Sequence, residues 1–95
     1  MTDLEAVWLA ARTLEDPFAR EDLAVAAWRM FPERFGLAGY DLPDAGHVFA
    51  RMAPLLERGY LQPSDDPERP YAVVRHRKQW RGMRRDAFDK TRAYR

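Results

Sequence analysis

The sequence predicts a mainly α fold with one small β-hairpin. Three observations carry this. Apolar residues recur at helical spacing in three stretches that end before Gly59. Two short extended runs, at 60–61 and 71–74, flank the turn-rich segment PSDDPERP. The chain has 95 residues, 46% of them hydrophobic, which suits one compact core and leaves no room for a second.

The first helix is predicted in TDLEAVWLAARTLED. Thr2 and Glu5 have the spacing of a capping box, and Leu4, Val7, Trp8, Ala11 and Leu14 follow the apolar rule. Pro17 is expected to end it, because the residue before proline is pushed out of helical geometry. Phe18 then forms either a short extended segment or a staple onto the next helix. REDLAVAAWRMF reads as the second helix, with Glu21 and Asp22 complementing its dipole and Leu23, Ala26, Ala27, Met30 and Phe31 as its apolar stripe.

FGLAGYDLPDAG, residues 35–46, holds three of the five glycines. It fails both phosphate-loop tests. A P-loop needs lysine and a hydroxyl residue after its last glycine, and Gly39 is followed by Tyr40, Asp41 and Leu42. The dinucleotide fingerprint needs a third glycine and a preceding strand. The stretch is therefore expected to be a structural turn, with Phe35, Leu37 and Tyr40 plugging the core. Asp41 is the expected N-cap of the third helix, with Pro43 in its first turn.

That helix is predicted in PDAGHVFARMAPLLERG, with Val48, Met52, Leu55 and Leu56 facing inward and Phe49 beside them. Pro54 removes one backbone hydrogen bond, and Gly59 suits the left-handed residue that closes a helix. The hairpin follows. Its prolines mark an edge loop. Residues 76–95 are expected to form a basic C-terminal helix or tail, beyond a domain spanning 1–75.

The net charge of +1 hides an asymmetry. Residues 1–74 carry 7 Lys/Arg against 13 Asp/Glu, while 75–95 carry 9 Lys/Arg against 2 Asp. A cationic end on an acidic body suits a polyanion or an acidic protein partner, a second copy included. The other use is folding back on the body. Without cysteine there is neither disulfide nor thiolate ligand. No apolar run is long enough to span a membrane, and MTDLEAVW lacks the order of an export signal, so a cytoplasmic location is expected.

Helix, helix, helix, hairpin is also the order of a winged helix-turn-helix. LLERGYLQP carries the resemblance furthest: an apolar pair (Leu55, Leu56), charges (Glu57, Arg58), Gly59, then Tyr60 and Leu61 opening the first wing strand. REDLAVAAW is similar to the second helix of that fold, and PERFGLAGYDLPD is similar to an uncharacterised bacterial winged-helix group. The resemblance covers about residues 3–75. It implies a third helix that enters the DNA major groove and a wing that touches phosphate. By position, Asp44, His47 and Arg51 would face DNA. The wing tip SDDPER departs from the pattern, because three acidic residues there would be repelled by phosphate. Winged helices also serve as protein-interaction modules.

Other chemistry finds little support. His47 and His76 are the only histidines and have no zinc-ligand spacing, so no metal or other cofactor is expected. Ser64 is the only serine, and Asp65 and Asp66 sit together in a turn, where solvation is the expected state. No enzymatic activity is expected. RHRKQWRGMRR places Arg75, Arg77, Lys78, Arg81, Arg84 and Arg85 around Trp80, a set that could neutralise phosphates. The leading expectation is therefore a regulatory nucleic-acid-binding protein, on duplex DNA, using these six residues with His47 and Arg51. The alternative is a protein-interaction or dimerisation module with an apolar rim near Trp28, Tyr40 and Phe49.

Overall fold

The computed structural model describes residues 1–75. They form four helices and one two-stranded antiparallel sheet: α1 (Asp3–Ala11), α2 (Arg20–Met30), α3 (Pro32–Phe35), α4 (Ala45–Glu57), β1 (Leu61–Pro63) and β2 (Tyr71–Val73). The expected mainly α fold with a small hairpin is the fold observed. The basic helix or tail expected at 76–95 lies outside the described residues.

α1 is the centre of the core. Thr2 caps it, its hydroxyl accepting from Glu5 N at 3.1 Å. The periodic apolar stripe predicts one inward face, yet Ala6, Val7, Trp8, Ala10 and Ala11 are all fully buried. The alanines explain this. Their small side chains let α2 and α4 approach the helix on two sides. The helix also stops earlier than Pro17 requires. Thr13 Oγ1 donates to Ala10 O at 2.7 Å, and the amides of Thr13 and Leu14 turn back onto Ala10 and Ala11. That tightened turn ends α1 before the cis Asp16–Pro17 bond.

Phe18 takes the extended option. Its N–H donates to Tyr71 O at 2.8 Å and its carbonyl accepts from Tyr71 N at 3.1 Å, a single β-bridge that fastens the α1–α2 connection to the hairpin. α2 starts where the Asp22 carboxylate accepts from Ala19 N at 3.1 Å. It buries Leu23, Ala24 and Ala27. Met30, expected in its inward stripe, is exposed instead.

The short α3 is absent from the sequence prediction. Pro32 suits its first position, and Phe31 O accepts from both Arg34 N and Phe35 N at 3.0 Å. Phe35 is driven fully into the core, as expected. The N-cap of α4 is Asp44, three residues after the expected Asp41: its carboxylate accepts from His47 N at 3.3 Å. Pro43 therefore precedes the helix. α4 buries Val48, Met52 and Leu55, and Gly59 takes the closing left-handed conformation at φ 78°.

β1 and β2 pair Leu61 with Val73, Gln62 with Ala72 and Pro63 with Tyr71. Their inner ends are apolar. Leu61 and Val73 are buried beside Tyr60, whose ring meets Trp8 edge-on with centroids 5.1 Å apart. Each such large side chain contributes about 1.5–3 kcal/mol on burial, so Trp8 and Tyr60 anchor α1 to the hairpin.

Candidate functional site

Two surface features stand out, and the stretch 32–44 contributes to both. The first is a charge cluster. Thr2 fixes the start of α1, so Asp3 projects from its first turn towards α3 and α4. Arg34 NH1 donates to Asp3 Oδ1. His47 Nε2 lies 2.7 Å from Asp3 Oδ2. An ionised carboxylate only accepts, so Nε2 carries the hydrogen. Arg51 NH2 stands 3.8 Å from the same oxygen. All four side chains keep roughly a third of their surface in solvent. The Arg34 hydrogen bond, helped by His47 and opposed by partial burial, holds the Asp3 carboxyl below its ordinary range.

This bears directly on the residues expected to contact nucleic acid. His47 and Arg51 do stand together on α4, but both are turned to a carboxylate of the same chain. Arg75 is engaged as well. Its Nε donates to Asp16 Oδ2 at 2.9 Å and its NH2 to Leu14 O at 3.1 Å. Arg77, Lys78, Arg81, Arg84 and Arg85 lie outside the described residues. Part of the acidic hairpin tip is structural: Asp66 Oδ1 accepts from the amides of Glu68 and Arg69 at 2.9 and 3.3 Å, closing the turn.

The second feature is apolar. Residues 36–43 close into a small excursion of their own. Leu37 N donates to Leu42 O at 2.8 Å, and Gly36 bridges to Pro43. Tyr40 N returns to Leu37 O at 3.0 Å, with Gly39 at φ 81° in the third position of that turn. This is a type II arrangement, which demands positive φ there. The stretch does contain a hydrogen-bonded turn, but Leu37 and Tyr40, expected to plug the core, face solvent. Leu37, Tyr40 and Leu42 are 41%, 69% and 54% exposed. The backbone hydrogen bonds explain the difference. They hold the excursion outside the core that Phe35 has already filled.

The three residues of the expected apolar rim fare differently. Tyr40 is displayed at the tip, and Trp28 lies half-buried against Gly36 at the base. Phe49 is covered by Arg20, whose guanidinium carbon sits 4.6 Å from the ring centroid. Leu37 and Leu42 extend the surface in its place.

Among the described residues no group of three His, Cys, Asp or Glu side chains is placed to hold a metal ion. None of the described helices is long and apolar enough to cross a membrane. An open groove of about 510 Å³ runs beside α2, lined by Leu14, Pro17, Phe18 and Asp22 among others. Its Asp22 carboxylate is already committed to the Ala19 amide.

Sequence reasoning misses Asp3, Asp16 and Arg34. Nothing local marks them, since their partners lie 31 to 59 residues away along the chain. The chain matches no protein-family model, and no curated protein or solved structure matches it at a significant level.

Proposed function

We propose that residues 1–75 form a protein-interaction module on a winged-helix-like scaffold, acting by binding and not by catalysis. The observation that carries this reading is the 36–43 excursion: three large apolar side chains held in solvent by a hydrogen-bonded backbone. The scaffold part is supported by the order of α1, the extended Phe18, α2, α4 and the hairpin, with Phe18 bridged to Tyr71. The partner's chemistry follows from the charges. Asp41 stands between Tyr40 and Leu42, Asp44 follows the excursion, and residues 1–74 carry an excess of carboxylates. The matching surface is a protein groove with an apolar floor and basic edges.

A photoreactive side chain in place of Tyr40 tests this in cells. The expected result is one discrete, nuclease-resistant protein adduct that disappears when Leu37 and Leu42 become serine. A probe at Gln62 should give none. An adduct that nuclease removes, or none at Tyr40, overturns the reading.

A second reading rests on the 9 Lys/Arg of residues 75–95, which favour contact with duplex DNA. Its test is the salt dependence of duplex binding. Replacing Arg81, Arg84 and Arg85 with alanine should flatten the slope of log K against log salt by roughly 2–3. An unchanged slope removes DNA contact by those residues.

A further inference from the structure

Two guanidinium groups and one imidazole converge on one carboxylate. Arg34 holds Asp3 Oδ1 and His47 holds Oδ2. Arg51 stands at 3.8 Å, beyond hydrogen-bond distance, and makes no hydrogen bond among the described residues. The geometry thus leaves one of the three side chains at ion-pair distance from Asp3 without a hydrogen bond to it. Each donor keeps roughly a third of its side chain in solvent, so a ligand can reach it. Other elements hold the donors in place. α3 fixes Arg34, the Phe35 ring packs 5.4 Å from the His47 ring, and Asp44 caps the turn that presents His47. A further carboxylate, Asp44, stands beside His47, and its Oδ1 accepts from the His47 amide.

We propose that Arg34, His47 and Arg51 form a binding site for a phosphate group, closed in this state by Asp3. A carboxylate presents two oxygens, which match Arg34 and His47. A phosphate presents at least one more, which gives Arg51 a hydrogen-bond acceptor that Asp3 does not supply at 3.8 Å. Asp3 therefore acts as an internal competitor. It keeps these side chains engaged until a stronger oxyanion displaces it. The inference does not depend on what the 36–43 excursion docks against.

The test uses the full chain and two probes, inorganic pyrophosphate and a short DNA duplex. Asp3→Asn keeps the side-chain shape and removes the competing charge. It should tighten binding of at least one probe by about tenfold, and the titration should move the His47 ring signals in NMR spectra. Adding Arg51→Gln to that variant should reverse the gain. A gain for pyrophosphate alone assigns a small phosphorylated ligand. A gain for the duplex, with a steeper salt dependence, assigns a phosphodiester backbone. The basic residues beyond 75 are common to every variant, so they cancel in the comparison. Unchanged affinities for both probes overturn the proposal, as does a gain that survives Arg34→Gln with Arg51→Gln. Should Asp3→Asn fail to fold, the unaltered protein in excess pyrophosphate decides. His47 signals that stay still there, or that move equally in Arg51→Gln, leave the cluster as a helix staple only.

Discussion

Asp16 and Val73 join the α1–α2 connection to the inner, C-terminal end of β2: Val73 N donates to Asp16 Oδ1 at 2.9 Å. The other oxygen of the same carboxylate takes Arg75 Nε, also at 2.9 Å. One side chain thus holds the last residue of the hairpin and the first basic residue after it.

Asp16→Ala should therefore destabilise the fold by about 1–3 kcal/mol, because it leaves the partly buried Val73 amide without its acceptor. Asp16→Asn keeps an acceptor and should cost less. Arg75→Gln breaks an exposed ion pair and the exposed bond to Leu14 O, and should cost about 1 kcal/mol. Denaturant unfolding ranks the three. Amide exchange at Val73 should accelerate in Asp16→Ala alone.

Two glycines in one excursion should respond differently to alanine. At Gly36 an added Cβ would lie 2.5 Å from Pro32 O, so the backbone of α3 must shift. At Gly39 nothing lies within 4 Å, but φ is 81°. That change costs only conformational strain, about 1 kcal/mol. Thermal melts should show the larger loss for Gly36→Ala. Only Gly36→Ala should also disturb the NMR signals of α3.

Acid should weaken the α1–α3–α4 junction. The Asp3 carboxyl is depressed in the folded chain, chiefly by Arg34, and rises to its ordinary value on unfolding. A depressed carboxyl contributes stability above its unfolded pKa. That stability is lost as pH falls from about 4 through the folded value. Asp3→Asn should flatten the stability profile in this window and leave its neutral-to-basic limb unchanged. Urea unfolding at a series of pH values checks it.

Alkali should act through Tyr60. Burial pushes its phenol from 10.0 up to about 12, with Arg58 opposing. The folded chain holds the proton more tightly than the unfolded one. Stability is therefore full below pH 10 and falls as pH rises from there towards 12. Tyr60→Phe should remove part of that fall. Absorbance of tyrosinate should show one phenol titrating late in the native protein.

The fold class was legible because it rests on periodic patterns. The helix positions, the Thr2 cap, the Gly59 stop and the hairpin are all local signals, and each is where its chemistry puts it. The misplaced features depend on competition between neighbours. Asp41 and Asp44 are both plausible caps, and the bond from Asp44 N to Phe35 O at 2.7 Å selects Asp44. Leu37 and Tyr40 have core-like chemistry, but Phe35 takes the available space. The candidate site was half legible. His47 and Arg51 show as basic residues on one helix face. Asp3, which determines what they do, is 44 residues from His47 in sequence and visible only in three dimensions.

The bridge from Gly36 to Pro43 brings the two ends of the excursion side by side. A segment whose entry and exit meet can be lengthened, shortened or rewritten with little disturbance to the helices beneath. Under the proposed function, docking and folding fall to separate stretches of chain, so that exchanging a handful of residues at one tip would alter what is bound.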